Sequence, residues 1–357
     1  MKLFGKIIWT LNVVVAVVLL LSYISPLVDP TKFWPLSFFG LFYPVFLTIN
    51  LMFLVYWLIR KPSRSWLSIV SILIGWNQLM SFANFSSSTN NNSPHVINVM
   101  SYNIQNAGWA YSRDREKRNI RSAEFIKFLK GHNDVDVLCT QETGFFGREI
   151  IEKGLKGRYK HKLEKKGATL WSKYPMGNQG QVDFRTNTNS CVWADIIFPA
   201  DTIRVYSMHL YSNNISRDAA EVLDNANLNE KETWSGIGSI LNKYKKANIK
   251  RSEQAKKVKD HMSKSPYPVL IAGDFNDPPS SFTYSTLSES MSDAFCEKGL
   301  GISSTYGGRI PFLRIDYIMS DQSFDVLNYN LIKNKYSDHY PIRASVILKD
   351  RQETNGE

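Results

Sequence analysis

The chain has 357 residues, 43 basic against 32 acidic side chains, and 43% apolar residues. That is enough for one large domain or two modest ones, and it excludes a disordered or collagen-like chain. Three scattered cysteines, Cys139, Cys191 and Cys296, exclude a disulfide framework and a paired Cys-x-x-Cys zinc site. The net charge of +11 marks no nucleic-acid-binding face, because residues 1–82 hold six basic side chains and one acidic one, +5 of that total, beside long apolar runs.

No charged residue occurs from Ile7 to Val28, from Phe33 to Ile59, or from Trp66 to Phe82. A helix crossing the hydrocarbon needs about 20 apolar residues. Residues 1–82 therefore read as a bundle of about three transmembrane helices, with spans near 7–28, 33–59 and 66–82, the last short and carrying Asn77 and Gln78. A cleavable signal peptide fits poorly, since no small-x-small site follows the first run. A buried helical core fits poorly too, given the run lengths and the Trp and Tyr near their ends. Lys2 and Lys6 precede the first run, and Arg60, Lys61 and Arg64 separate the second from the third. The positive-inside rule then puts both of those ends in the cytoplasm. Three spans deliver the rest of the chain outside; two would leave it inside. Residues 83–95, with Ser86–Pro94 reading SSSTNNNSP, look like a flexible linker.

From Val96 to about residue 350, before a short tail at 351–357, the pattern changes to β-rich runs with turn residues between them. Strands are expected at Ile97–Ile104, Val135–Thr140, Ala168–Ser172, Cys191–Phe198, Ile203–His209, Val269–Gly273, Ile315–Met319 and Ile342–Leu348. Helices are expected at Arg115–Lys130, where Ile120, Ala123, Phe125, Ile126 and Leu129 recur at helical spacing, and at Glu253–Ser263. This mixture predicts an α/β domain of two stacked sheets flanked by helices. The polar residues 211–250 read as a loop and helix insertion.

Polar residues end the apolar strands at six places: Asn103, Glu142, His209, Asp274 with Asn276, Asp316, and Asp338 with His339. A side chain there is held by a rigid sheet yet faces the rim, where ligands bind. Hydrolysing a phosphate ester needs a hard cation on the non-bridging oxygens, a carboxylate to orient water, and a donor to stabilise charge on the phosphoryl oxygens or leaving group. Glu142 can supply the first, Asp274 the second, and His209 and His339 the third. No Gly-x-Ser-x-Gly, Walker or Gly-x-Gly-x-x-Gly motif supports a rival chemistry. Each element alone has an ordinary reading: Asp-x-Asn as a turn or cap, His209 as a core imidazole, Asp316 as the brace of an arginine, Asp338-His339 as a turn. Their joint occurrence in one order outweighs those readings.

The ordered set resembles the endonuclease/exonuclease/phosphatase superfamily, the deoxyribonuclease-I-like fold, over Val96–Leu348. The resemblance rests on GDFN at Gly273–Asn276, SDH at Ser337–His339, RIDYI at Arg314–Ile318, QET at Gln141–Thr143 and MHL at Met208–Leu210. SKYPM at Ser172–Met176 and the Arg251/Gln254/Ala255 helix also fit it. It implies a four-layered α/β sandwich; joined to the apolar runs of residues 1–82, the chain reads as a membrane-anchored bacterial member with its catalytic domain outside the inner membrane. It further implies that Glu142 binds Mg²⁺ or Mn²⁺ with Asn103 beside it, and that Asp338 assists the metal or phosphate. Asp274 and Asn276 match the pair that orients the attacking water and holds the phosphate. His339 matches the catalytic histidine, polarised by Asp316, and His209 a second histidine placed at the transition state or leaving group. Some members carry Asp two residues after the first Asn. This chain has Gln105, which weakens any second metal contact there.

The expected activity is therefore metal-dependent hydrolysis of a phosphate ester, nucleic acid or phospholipid head group, next to a lipid bilayer and with no protein partner. The alternative is a catalytically inactive, membrane-tethered binding module of the same fold. Trp109, Tyr111, Phe145, Phe146 and Trp234 lie in expected loops, where they can stack on bases or dip into a bilayer. Lys243, Lys245, Lys246, Lys250 and Arg251 form a basic run that suits a polyanion or, more ordinarily, a solvated helix face. A channel is disfavoured, because the spans contain no charged residue or histidine between their ends.

Overall fold

The computed structural model describes residues 2–86, 93, 95–186, 189–212, 231–308 and 312–349. The chain divides into two compact units: residues 1–83, 212–256 and 277–287 in the first, and 84–211, 257–276 and 288–357 in the second.

The first unit opens with α1 (Lys2–Ile24), continued by a 3₁₀ turn through Leu27. Prolines then divide the second apolar run: α2 (Pro30–Phe33) and α3 (Pro35–Leu41) each begin on a proline, before α4 (Tyr43–Arg60). Among the described residues, two helical stretches, Leu3–Leu27 and Tyr43–Arg60, are long and apolar enough to cross a bilayer by length and composition. The expectation of three such helices is corrected here. The third run is two short helices, α5 (Trp66–Ile74) and α6 (Trp76–Met80), broken at Gly75. At this break a Cβ on residue 75 would collide with the Tyr23 ring, so the chain passes closely there only as glycine. Some polar side chains among these helices pair with one another. Asn12 donates to Ser68 Oγ at 3.0 Å and accepts from Trp57 Nε1 at 3.0 Å.

The same unit includes most of a long helix, α9 (Lys231–Met262), which follows α7 (Arg115–Gly131) and α8 (Gly144–Gly154) in the chain. The expected Glu253–Ser263 helix is thus only its last third. Of the expected 211–250 insertion, residues 213–230 lie outside the described residues, as do 87–92 and 94 of the expected linker. Within this unit Asp29 accepts from Ser252 Oγ at 2.9 Å and pairs with Lys256. Tyr244 donates to the Ser37 carbonyl at 2.7 Å, Ser280 to the Gly40 carbonyl at 2.7 Å, and Arg251 pairs with Asp277 at 2.8 Å.

The second unit is built on two six-stranded mixed sheets. Its strands are β2 (Ile97–Asn103), β3 (Val137–Gln141), β4 (His161–Lys165), β5 (Ala168–Ser172), β6 (Met176–Val182), β7 (Ser190–Ile197), β8 (Thr202–His209), β9 (Val269–Asp274), β10 (Met291–Asp293), β12 (Asp316–Asp321), β13 (Phe324–Leu331) and β14 (Ile342–Leu348). One sheet runs β10-β12-β9-β8-β7-β6 and the other β13-β14-β2-β3-β5-β4. In each, one central pair is parallel, β8 with β9 and β2 with β3, so four strand ends converge on one rim.

Strand alternation creates the layers. Along β2, Ile97 and Val99 enter the core between the sheets with Val137, Leu170, Val205, Leu270 and Ile318. Met100 and Tyr102 point the other way, onto Phe125 and Leu129 of α7 and Ile151 of α8. The fold is the expected four-layered sandwich of two stacked sheets flanked by helices. The eight expected strands are all present to within two residues at each end.

Gly273 lies in β9 opposite Met208, with φ +155°, and a Cβ there would strike the Met208 backbone. We expect Gly273→Ala to destabilise the protein by about 2–3 kcal/mol, read as a lowered thermal midpoint of the full chain. An unchanged midpoint would contradict this packing.

Candidate active site

Because β8 and β9 run parallel and β12 runs antiparallel beside β9, register alone places His209 and Asp316 on either side of Asp274. In the other sheet, Asn103 ends β2 opposite Gln141, and the chain turns sharply into Glu142. Asp274, Asp316 and Asn103 are each only 1% exposed, His209 3% and His339 7%. Charged and polar groups buried to that degree demand partners.

Those partners are mostly one another. Asn103 Nδ2 donates to Asp274 Oδ2 at 2.9 Å, and the Asn276 backbone N–H donates to Asp274 Oδ1 at 2.8 Å. Asp316 accepts from His339 Nδ1 at 2.9 and 3.2 Å, fixing the ring so that Nε2 lies 3.8 Å from Asp274 Oδ2. Thr305 Oγ1 accepts the Ile315 and Asp316 backbone N–H groups at 3.0 and 3.1 Å, holding the start of β12. Asp274, Asp316 and His339 bring potential metal-ligating atoms within 4.8 Å of one another. Both oxygens of Asp316 are engaged by the imidazole, however, so that carboxylate is committed to orienting and charging His339.

His209 differs from its neighbours. Its Nε2 sits 3.6 Å from Glu142 Oε1 and 3.8 Å from Asp274 Oδ2, and both ring nitrogens are buried without a well-formed hydrogen bond. An unsatisfied buried polar atom costs about 1–3 kcal/mol. Its position between two carboxylates fits a site that completes its hydrogen bonding on a ligand. Glu142, 29% exposed, Asp338 and Asn103 offer oxygens, the donor type that a hard divalent cation prefers.

The backbone is strained here. Glu142 (φ +47°) and Asn276 (φ +55°) adopt left-handed conformations, as do the consecutive residues Gln105, Asn106 and Ala107 (φ +47°, +55° and +50°). Non-glycine residues in that region cost of order 1–3 kcal/mol each and persist where surrounding structure holds them. Here the strain aims two amides at two carboxylates. Gln105 Nε2 donates to Asp338 Oδ2 at 2.9 Å, and Asn106 Nδ2 to Glu142 Oε2 at 3.2 Å. Ser337 Oγ donates to the Asn103 carbonyl at 2.7 Å and accepts the His339 N–H at 3.1 Å, locking the last loop onto β2.

All eight residues singled out from the sequence therefore join one contact network. Asn276 enters through its backbone, its own Nδ2 donating to the Leu210 carbonyl at 3.1 Å, and Asp338 through Gln105. Asn106 is the member that sequence reasoning missed, since an asparagine in a loop carries no periodic signal. Arg314 of RIDYI has a purely structural partner, pairing with buried Asp293 at 2.7 Å.

The electrostatics follow from burial and proximity. Burial pushes the Asp274 carboxyl up to about 6, the nearby Asp316 carboxylate adding to this against the pull of the two histidines and Asn103. Burial opposes a charge on His339, but Asp316 and Asp274 outweigh it and hold the imidazolium up to about 10. His209 is pulled down, chiefly by burial. The arrangement sets a carboxylate of raised proton affinity beside a cationic imidazole and an imidazole of lowered basicity.

Residues 100–339 match the model of the Endonuclease/Exonuclease/phosphatase family, and residues 5–82 match a domain of unknown function, DUF8431. No curated protein matches the chain. Among solved structures, an endonuclease/exonuclease/phosphatase family protein from Bacteroides thetaiotaomicron is similar at TM-score 0.53 and 16% identity, over 72% of this chain and 99% of that one. A mannosyl-6-phosphatase from Bacteroides thetaiotaomicron VPI-5482 is similar at TM-score 0.50 and 15% identity, over 71% and 100%. D. rerio TDP2 complexed with a single-strand DNA product is similar at TM-score 0.51 and 14% identity, over 70% and 98%. At these identities the likeness is one of fold.

Proposed function

Since the chain belongs to the endonuclease/exonuclease/phosphatase family, whose members are phosphoester hydrolases, we propose that it is a divalent-metal-dependent hydrolase of phosphate esters, tethered to a membrane. The observation that carries this reading is the placement of buried Asp274 between Asn103, His209 and His339. A protein that only binds gains nothing from a carboxylate whose proton affinity is raised toward neutrality beside a charged imidazole.

In this reading Asp274, oriented by Asn103 and by the Asn276 N–H, accepts the proton of the attacking water. His339, fixed and charged by Asp316, donates hydrogen bonds to the developing negative charge on the phosphoryl oxygens. His209, neutral and lying between Glu142 and Asp274, is placed to meet the phosphoryl group or the departing oxygen. Glu142 and Asp338, with Asn103 beside them, would hold Mg²⁺ or Mn²⁺. When bound, that ion neutralises the non-bridging oxygens. Nucleic acids and phospholipid head groups both present the required phosphate ester. A panel of nicked and linear DNA, phospholipids and phosphoinositides separates them.

We read residues 1–82 as a multi-pass anchor of a bacterial inner membrane in which Leu3–Leu27 and Tyr43–Arg60 each cross as one helix and the broken α5–α6 segment makes the third passage, which puts the catalytic part outside. Two observations within the first unit support this sidedness. Arg64 donates to the Gly5 carbonyl at 3.0 Å, so the basic ends lie together. Tyr23 donates to the Ser71 carbonyl at 3.1 Å and the Phe82 ring packs, tilted, against Tyr43 at 5.0 Å, so the broken α5–α6 segment retraces α1 toward the opposite end. That opposite end, at Asp29, Ser37 and Gly40, is the one that α9 and the 277–287 segment engage.

The pH dependence tests the assigned roles. Asp274 acts ionised, so kcat/KM rises as pH passes upward through about 6. His339 acts protonated, so kcat/KM falls as pH passes about 10. The expected profile is a broad bell with its plateau between those limits. A rate that peaks well below pH 5 contradicts the assignment of Asp274 as acceptor.

A further inference from the structure

The strand β1 (Ala83–Phe85) pairs with β11 (Leu300–Ile302) in a separate two-stranded ribbon. Asn84 is buried and donates to the Phe295 carbonyl at 2.8 Å, pinning the ribbon to the short helix Ala294–Lys298. Its apolar side chains go the other way: Phe85 is 76% exposed, Leu300 78% and Ile302 60%. A single exposed apolar residue such as Phe145 is ordinary. Three on one pinned ribbon are a built apolar surface.

Chain length identifies what covers it. Phe82, the last residue of the third apolar run, is buried among the N-terminal helices against Tyr43. Phe85 follows three residues later, within about 10 Å of contour even if fully extended. The head-group layer on each side of the hydrocarbon is itself about 5–8 Å thick. Paired strands lie about 4.8 Å apart, so the partner strand with Leu300 and Ile302 stays within about 15 Å of Phe82. We infer that the β1–β11 ribbon is a membrane-contact element, its Phe85, Leu300 and Ile302 side chains seated at the boundary between head groups and acyl chains. Such an element gives the second unit a bilayer contact of its own, beside the covalent anchor. This inference rests on the membrane-anchored reading of residues 1–82.

The test uses the full chain in nanodiscs, as the variant Cys296→Ser/Ile302→Cys carrying an NBD fluorophore at position 302. Cys139 and Cys191 are fully buried and stay unlabelled. Replacing the lipid with phosphatidylcholine brominated at the acyl carbons nearest the head group should remove at least about half of the NBD emission, as expected for a side chain at that depth. The variant Cys296→Ser/Leu300→Cys should behave alike. Unchanged NBD emission at both positions, with the tryptophans of the N-terminal helices quenched, would overturn the ribbon contact and leave the anchor standing. Unquenched tryptophans would overturn the anchor reading, and the ribbon contact with it. NBD emission that is blue-shifted but unquenched, and that reverts on dilution, would identify a protein partner and overturn the lipid assignment.

Discussion

Asp274→Asn is expected to lower kcat by about 10³-fold or more while leaving the thermal midpoint within a few degrees, and His339→Gln to lower kcat about as much while also lowering the midpoint, because buried Asp316 loses its cation. Asparagine keeps the size of Asp274 and an oxygen for the Asn276 N–H, so the fold survives, but it cannot take a proton from water. Glutamine at 339 cannot carry the positive charge that Asp316 and Asp274 sustain on the imidazole. The two residues serve one transition state, with His339 Nε2 3.8 Å from Asp274 Oδ2. The double variant should therefore be little worse than either single one. Steady-state kinetics on a chromogenic phosphodiester, with unfolding curves for each variant, checks all three. Fully additive losses would mean that the residues act separately.

Glu142→Gln is the second large effect. The carboxylate is partly exposed and its removal strands no buried charge, so stability should hold. The Mn²⁺ concentration giving half-maximal rate should rise at least about 100-fold, whereas Asn106→Ala, which removes the amide that orients Glu142 and adds backbone strain at φ +55°, should raise it about 10-fold. Calorimetric titration of Mn²⁺ reads the same order without turnover. Equal Mn²⁺ affinity in wild type and Glu142→Gln would remove Glu142 from the metal site.

The parts of the fold that could be read from the sequence are those buried on both faces. Strands such as Val269–Asp274 and Ser190–Ile197 announce themselves as mostly apolar runs, the latter interrupted by Asp195. The edge strands His161–Lys165 and Met176–Val182 were illegible, because only part of each meets the core and the rest is polar or glycine. Composition likewise revealed the third apolar run but not its break, which depends on Gly75 meeting the Tyr23 ring from a distant helix. The candidate side chains are visible for a structural reason: each ends an apolar run, and parallel pairing of β8 with β9 and β2 with β3 brings those ends to one rim. Asn106 was invisible because its role comes from a left-handed backbone and a contact with Glu142, neither of which leaves a pattern along the chain.

The most direct measurement is hydrolysis of bis(p-nitrophenyl) phosphate by the purified full-length chain with Mn²⁺ or Mg²⁺, before and after EDTA, with Asp274→Asn alongside. Turnover by the wild type that EDTA abolishes, restored metal restores, and Asp274→Asn lacks is the predicted result. Turnover that survives EDTA, or that Asp274→Asn retains in full, would contradict a metal-dependent hydrolytic centre at this rim.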